Sequence, residues 1–372
     1  MAKHVLITGG AGFVGSHVAD ELVSRGYRVR ALDNLSPQVH GANARRPAYL
    51  NSEVELMIGD VRDPDALSKA LRGVDAVYHL AAAVGVGQSM YEIAHYTGVN
   101  NLGTAVLLEA LSKKPVERLI VASSMSLYGE GLYRTEKGDL IPGRSRSYEQ
   151  LRAGEWELLD GEGGRLFPLA TPESKQPEIA SVYALSKYDQ ERMCLMVGNA
   201  YDFPVVALRF FNIYGTRQAL SNPYTGVLAI FASRLMNRKA PLIFEDGNQM
   251  RDFVSVHDVK RACRLALEKA DAAGCVLNIG SGRQYTVCEI AEKLAAVLGQ
   301  QSLKPQITGR YRVGDIRHCF ADISAAREVL EYDPQITLRE GLEELAGWLE
   351  GQQAMDHVNQ ACSELSLRGL TV

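Results

Sequence analysis

No apolar run in this 372-residue chain reaches the ~18 residues that a membrane-crossing helix needs. No sign of charge dominates either. Forty Lys and Arg stand against 44 Asp and Glu, for a net charge of −4. Neither nucleic acid nor an anionic membrane surface is therefore expected as a partner. Cysteine is sparse and scattered, at Cys194, Cys263, Cys275, Cys288, Cys319 and Cys362, with no CxxC spacing. That pattern predicts reduced thiols in a cytoplasmic protein and no metal site. No signal-peptide pattern precedes the strand-like opening Met1–Thr8. Internal repeats and low-complexity tracts are also missing. What is present is ordinary for a globular enzyme, with 46% hydrophobic and 23% charged residues. The length predicts one large domain or two tightly joined ones, ample for a sizeable core.

The first half alternates two periodicities. His4–Thr8, Arg28–Leu32, Glu55–Ile58, Ala76–Leu80 and Arg118–Ser123 read as strands. Between them, Phe13–Ser24, Asp65–Leu71 and Thr104–Ser112 read as helices, the first with Val14, Val18 and Leu22 four apart on one face. Such alternation predicts an α/β fold, a doubly wound parallel sheet of Rossmann type. Beyond about residue 212 the rhythm loosens, although Thr225–Asn237, Val287–Leu298 and Leu338–Leu349 look helical. A smaller, interleaved C-terminal α/β domain is expected there. The predicted division is 1–212 and about 252–270 for the first domain, with 213–251 and 271–350 for the second. Residues 351–372 lack a strong pattern and read as a loosely held tail.

The first strand runs into Thr8-Gly9-Gly10-Ala11-Gly12-Phe13-Val14-Gly15, which opens the first helix. Gly9 permits a tight turn, Gly12 lets a pyrophosphate approach the backbone, and Gly15 lets the helix pack closely on the strand. The free N–H groups of the helix start then meet the phosphates. Asp33 closes the second strand, 18 residues after Gly15. A carboxylate there suits the adenosine ribose hydroxyls and repels a 2′-phosphate, favouring NAD over NADP. Asp60 follows the third strand, where the adenine would lie. Phe13, Val14, Asn34, Val61, Leu80, Ala81, Ala82 and Asn100 complete the expected cofactor wall.

The glycine loop and its context resemble the extended short-chain dehydrogenase/reductase superfamily, and the resemblance extends to about Trp348. Within Tyr183-Ala184-Leu185-Ser186-Lys187, Tyr and Lys lie four apart, on one face of a helix. A nearby ammonium favours the phenolate and lowers its pKa, so the pair makes sense as a proton acceptor beside a nicotinamide. In the superfamily a Ser or Thr four residues before a Tyr-Gly pair bonds the reacting oxygen, which implies Ser124 here. Nucleotide-sugar 4,6-dehydratases carry an Asp and a Glu just after that residue. This chain has Met125 and Ser126 there. Neither serves as a general acid or base for water loss, so oxidation and reduction at one carbon remain.

The second half resembles the superfamily's nucleotide-sugar motifs. Asn212 in Phe211-Asn212-Ile213-Tyr214-Gly215 is implied to meet the substrate diphosphate. So are Arg251 in Met250-Arg251-Asp252-Phe253 and Arg312 in Arg312-Val313-Gly314-Asp315. Arginine suits phosphate because its planar fork grips two oxygens. These features imply a nucleotide-sugar 4-epimerase with tightly held NAD. The 54 residues between Tyr128 and Tyr183 exceed what ordinary UDP-galactose 4-epimerases have there. This insert, about 130–178, is similar to that of bacterial dTDP-L-rhamnose 4-epimerases. It holds no cysteine pair, so no zinc is expected. It reads equally as a lid or as a surface excursion. Two further positions depart from UDP-galactose epimerases: Val84, where many carry Lys, and the small Cys319, implied to line the sugar pocket. A UDP-glucose or UDP-N-acetylglucosamine 4-epimerase and a nucleotide-4-keto-sugar reductase are the competing enzymes. A non-catalytic scaffold is disfavoured, because Tyr183 and Lys187 are both present. The superfamily's habit implies a homodimer formed through Thr104–Ser112, with its N-terminal extension, and Val182–Ala200.

Overall fold

The computed structural model of the chain describes residues 3–42 and 44–371. Its centre is a seven-stranded, wholly parallel sheet. The strands are β1 (His4–Thr8), β2 (Arg28–Asp33), β3 (Glu55–Ile58), β4 (Ala76–His79), β5 (Arg118–Ser124), β6 (Val205–Phe210) and β7 (Val276–Ile279). Their spatial order is β7-β6-β5-β4-β1-β2-β3. The chain reverses direction across the sheet at β1, and the ends of β1 and β4 open a crevice there. Both faces are covered. Val5, Ile7, Tyr78 and Ile120 pack with Val18 and Leu22 of the helix Phe13–Ser24, while Leu6, Val77 and Leu119 pack with Leu107 and Leu111 on the other side. Burial on both faces explains why these strands read as continuous apolar runs.

The five early strands and the helices Phe13–Ser24, Pro64–Ala70 and Gly103–Lys113 fall within a residue or two of the expected bounds. The later helices Val227–Met236, Val287–Val297 and Leu338–Leu349 do so too. These three pack around a separate core that includes Phe231, Leu235, Ile290, Leu294 and Leu342. Short strands complete this smaller body, among them Met250–Arg251, flanked by Tyr285–Thr286 and His318–Cys319. The insert forms a three-stranded antiparallel sheet of Leu132–Arg134, Leu140–Pro142 and Phe167–Leu169, with a small core of Tyr133, Leu158 and Leu166.

Two expectations about organisation need correction. Val276–Ile279, assigned to the second domain, pairs with β6 as the edge strand of the central sheet. Ala326, Leu330 and Tyr332 join the central core with it. Buried on both faces, such a strand has no alternation to reveal its sheet. The supposed loose tail contains the helix Val358–Leu367, whose Val358, Ala361 and Leu365 are buried. Residue 372 of that tail lies outside the described residues.

Candidate active site

A cavity of about 650 Å³ runs from the ends of the central strands to the smaller body. At one end the glycine loop is held by steric necessity. Gly9 has φ +71°, and a Cβ there would lie 2.8 Å from the Ala81 nitrogen. A Cβ on Gly15 would come within 2.2 Å of the Gly9 oxygen. Helix Phe13–Ser24 begins at Gly12 without a side-chain cap, so its first N–H groups stay free toward the cavity. Asp33 is nearly buried and is fixed by the backbone N–H groups of Ala11 at 3.0 Å and Leu35 at 2.9 Å. Asp60 is gripped by Arg62 through two bonds and by the Asn34 amide at 3.1 Å, which holds its carboxyl well below the usual range. Gly9, Gly12, Phe13, Val14, Gly15, Asp33, Asn34, Asp60, Val61, Leu80, Ala81 and Ala82 all line the cavity. Asn100 does not. It lies fully buried behind the wall, where its amide accepts from Ala83 N at 2.8 Å and donates to Ser186 Oγ at 2.8 Å. It positions the loop after β4, and sequence cannot distinguish that task from contact.

Midway along the cavity stand Ser124, Met125, Ser126, Tyr183 and Lys187. Ser124 ends β5 and caps the short turn that follows, accepting from Ser126 N at 3.2 Å and Ser126 Oγ at 3.0 Å. Tyr183 enters on the helix Val182–Ala200, whose start is capped by Ser181. The Tyr183 N–H donates to Ser89 Oγ at 3.0 Å, and its ring meets Tyr96 edge-on at 6.4 Å.

The electrostatics depart from expectation. Burial raises the Tyr183 hydroxyl, while a hydrogen bond with Ser124 pulls it back. The lowering anticipated from Lys187 is not seen, because the Lys187 ammonium donates to Gln190 Oε1 at 2.7 Å along its own helix. Burial brings Lys187 itself down to about 8. Gln190 in turn donates to Thr104 Oγ1 at 2.8 Å, and His79 bridges Thr8 and Thr104 at 2.8 and 2.9 Å. This buried polar layer under the site has no sequence signature, since its members come from four separate elements.

At the far end, Asn212, Arg251 and Arg312 line the cavity as expected. Asn212 Oδ1 is buried without a partner among the described residues, and so is Oε1 of Gln249 on the same wall. Unpaired buried polar atoms of this kind call for a ligand. The Arg251 guanidinium is braced by the carbonyls of Met250, Ile316 and Arg317. Arg312 makes a two-pronged pair with Asp315 at 2.8 and 3.1 Å and stacks on Phe244 at 4.6 Å. Cys319 is the residue misplaced from sequence. It is 1% exposed, joins the central core and contacts Thr171 Oγ1 at 3.8 Å, away from the cavity wall. Cys319 is the register partner of Arg251, but its short side chain stays buried in the core. Phe244 and the C-terminal residues Val358, Ala361, Cys362, Leu365 and Leu370 line the cavity unforeseen. Their spacing at 358, 361 and 365 was the available signal.

A glycine-loop crevice joined to a Tyr–Ser pair and an arginine-bearing second lobe defines a dinucleotide enzyme with a second substrate. The chain belongs to the NAD dependent epimerase/dehydratase family, whose family model matches residues 5–158 and 161–280. It is 36% identical to the dTDP-L-rhamnose 4-epimerase of Burkholderia thailandensis, over 96% of this chain and 97% of that protein. It superposes on the UDP-glucuronic acid 4-epimerase of Bacillus cereus in complex with UDP-glucuronic acid and NAD, with a TM-score of 0.76 and 29% identity. That match covers 93% of this chain and 99% of the other. The UDP-glucose 4-epimerase of Thermotoga maritima with UDP-glucose gives 0.75 and 30%, over 93% and 98%. NAD is the cofactor, and the uncapped helix start, the Gly9 turn and the fixed Asp33 carboxylate fit it.

Proposed function

We propose that this chain is a nucleotide-sugar 4-epimerase that interconverts dTDP-L-rhamnose and dTDP-6-deoxy-L-talose through a 4-keto sugar. One observation carries the single-carbon chemistry. Tyr183 and Ser124 share the middle of the cavity, and the two residues after Ser124 are Met125 and Ser126. Of the acids on the wall, Asp33 and Asp60 belong to the glycine-loop end and Asp315 is paired with Arg312. Among the described residues, no other carboxylate lines the cavity beside Tyr183 to drive an elimination.

In this reading Asn212, Arg251 and Arg312 hold the diphosphate. Ser124 orients the 4′-oxygen, and Tyr183 takes and returns its proton. Bound in the glycine-loop crevice, NAD supplies reversible redox exchange at the sugar carbon. Lys187 swings from Gln190 toward the Tyr183 hydroxyl as the phenolate forms. The dTDP-L-rhamnose assignment rests on the 36% relative and on the long insert. Structural neighbours hold UDP sugars instead, so UDP-glucose and UDP-N-acetylglucosamine are the competing substrates. A homodimer is part of the proposal. Leu185 and Met196, eleven apart on one face of Val182–Ala200, are exposed at 46% and 56%. Free cysteines fit a cytoplasmic setting.

The test is incubation of the purified protein with dTDP-L-rhamnose, without added cofactor, followed by NMR of the ring couplings. A mixture of 4-epimers supports the reading. Turnover of only a UDP sugar replaces the substrate. Net reduction that requires added NADH moves the chain to the reductases.

A further inference from the structure

The helix Val358–Leu367 is held at both of its ends. Ahead of it, Asp356 accepts from Lys239 at 2.9 Å and lies 3.5 Å from Arg234. Beyond it, Leu370 accepts from Val313 N at 3.0 Å, and Thr371 bridges to Arg312. The segment is therefore joined to the stretch that carries Arg312. Its middle is latched as well. One oxygen of Glu364 accepts from the hydroxyls of Tyr224 at 2.8 Å and Tyr91 at 3.0 Å, and Arg368 stacks on Tyr91 at 4.2 Å.

The helix's inward face is apolar and lines the cavity through Val358, Ala361 and Leu365, and Leu370 beyond it lines the cavity too. Leu365 is seated on the turn Val86–Ser89, where a Cβ on Gly87 would lie only 3.3 Å from it. Ser89 of that turn accepts the Tyr183 N–H. One helix thus spans from the catalytic tyrosine's support to the Arg312 edge.

We infer that the C-terminal segment Asp356–Thr371 is a wall of the substrate site, latched by Glu364, and that it retains the nucleotide sugar during turnover. The inference rests on the reading of the cavity as a nucleotide-sugar site. A 4-keto sugar must turn over while it stays bound, so a wall that closes across the sugar and diphosphate serves that chemistry directly. Removing the latch or the seated leucine opens the wall without touching Tyr183, Ser124 or the glycine loop.

The experiment compares the full-length protein with Glu364→Ala and Leu365→Ala, using dTDP-L-rhamnose and UDP-glucose as probes. Direct titration reads binding, and limited proteolysis reads exposure of the C-terminal segment with and without probe. The expected result is roughly ten-fold weaker binding of whichever probe the unaltered protein takes. KM should rise more than kcat falls, and saturating probe should protect the segment from cleavage. Unchanged thermal unfolding in either variant assigns the loss to the site rather than to misfolding. Binding equal to the unaltered protein's in both variants, with cleavage indifferent to probe, overturns the inference alone. No binding of either probe by the unaltered protein overturns the functional reading, and the inference with it.

Discussion

Arg317 Nη1 meets Glu245 Oε2 at 3.0 Å, and neither side chain has any exposed surface. The pair is the hub of a larger network. Arg146, from the insert, donates to Glu245 Oε1 at 2.8 Å. Glu130 accepts the backbone N–H groups of Arg317 at 2.6 Å and His318 at 3.1 Å. Glu245 directly follows the wall residue Phe244, and the Arg317 carbonyl braces Arg251. The insert is therefore tied by charge to the backbone that braces Arg251.

Replacing Glu245 by Ala leaves two buried guanidinium groups short of a partner. Breaking one side of a buried pair costs about 3–5 kcal/mol. Denaturant unfolding of Glu245→Ala should show a loss of that order. A loss below about 1 kcal/mol would mean that the network is relaxed or hydrated.

Lys187 sits near 8 because burial penalises its charge. Its ammonium is present below that pH and disappears as pH rises through it. Its support for the Tyr183 phenolate should fade with it, and activity should fall above about pH 8. In Lys187→Arg the charge persists, because guanidinium is not deprotonated in this range. A pH–rate profile whose alkaline limb is identical in both proteins would assign that limb to another group.

Burial, with the Lys187 charge adding to it, takes His79 down to about 3. The folded state thus prefers neutral imidazole, and the unfolded chain takes the proton first. Stability from this group is complete above the free value of 6.5 and is lost progressively as pH falls from there toward 3. Between pH 7 and pH 5 the loss is about 2 kcal/mol by linkage. In His79→Gln the unfolding midpoint should depend less on pH over that interval. Equal slopes would rule out His79 as the source.

Asp33 is held ready by two backbone N–H groups, with its carboxylate on the cavity wall. Asp33→Ala should weaken NAD binding by roughly 1.5–3 kcal/mol, the worth of hydrogen bonds to a charged group. It should also narrow the preference for NAD over NADP. Titration with both dinucleotides checks this, and an unchanged ratio would locate the discrimination elsewhere.

Much of the first half was legible because its signals are local. The glycine turn, the strand-end Asp33 and the four-residue spacing of Tyr183 and Lys187 each follow from neighbours in the chain. The structure brings all of them to one cavity. The misplaced residues share another character. Cys319 and Asn100 are buried off the cavity wall, and their orientation depends on partners remote in sequence, Thr171 and Ser186. The direction of the Tyr183 shift failed for a similar reason. The spacing brings Lys187 onto the right face but does not say where its ammonium points.

The sequence by itself determined the parallel sheet, the dinucleotide loop and the placing of Tyr183 and Lys187 on one helix face, since periodicity and turn sterics act over a few residues. Only the tertiary structure decided that Val276–Ile279 completes the central sheet and that the last helix lines the cavity. It alone decided that the insert is joined to the second lobe through Arg146, Glu245 and Arg317. Those outcomes depend on burial and charge pairing between segments far apart in the chain, such as Leu365 with Gly87, and no local pattern encodes such a pairing.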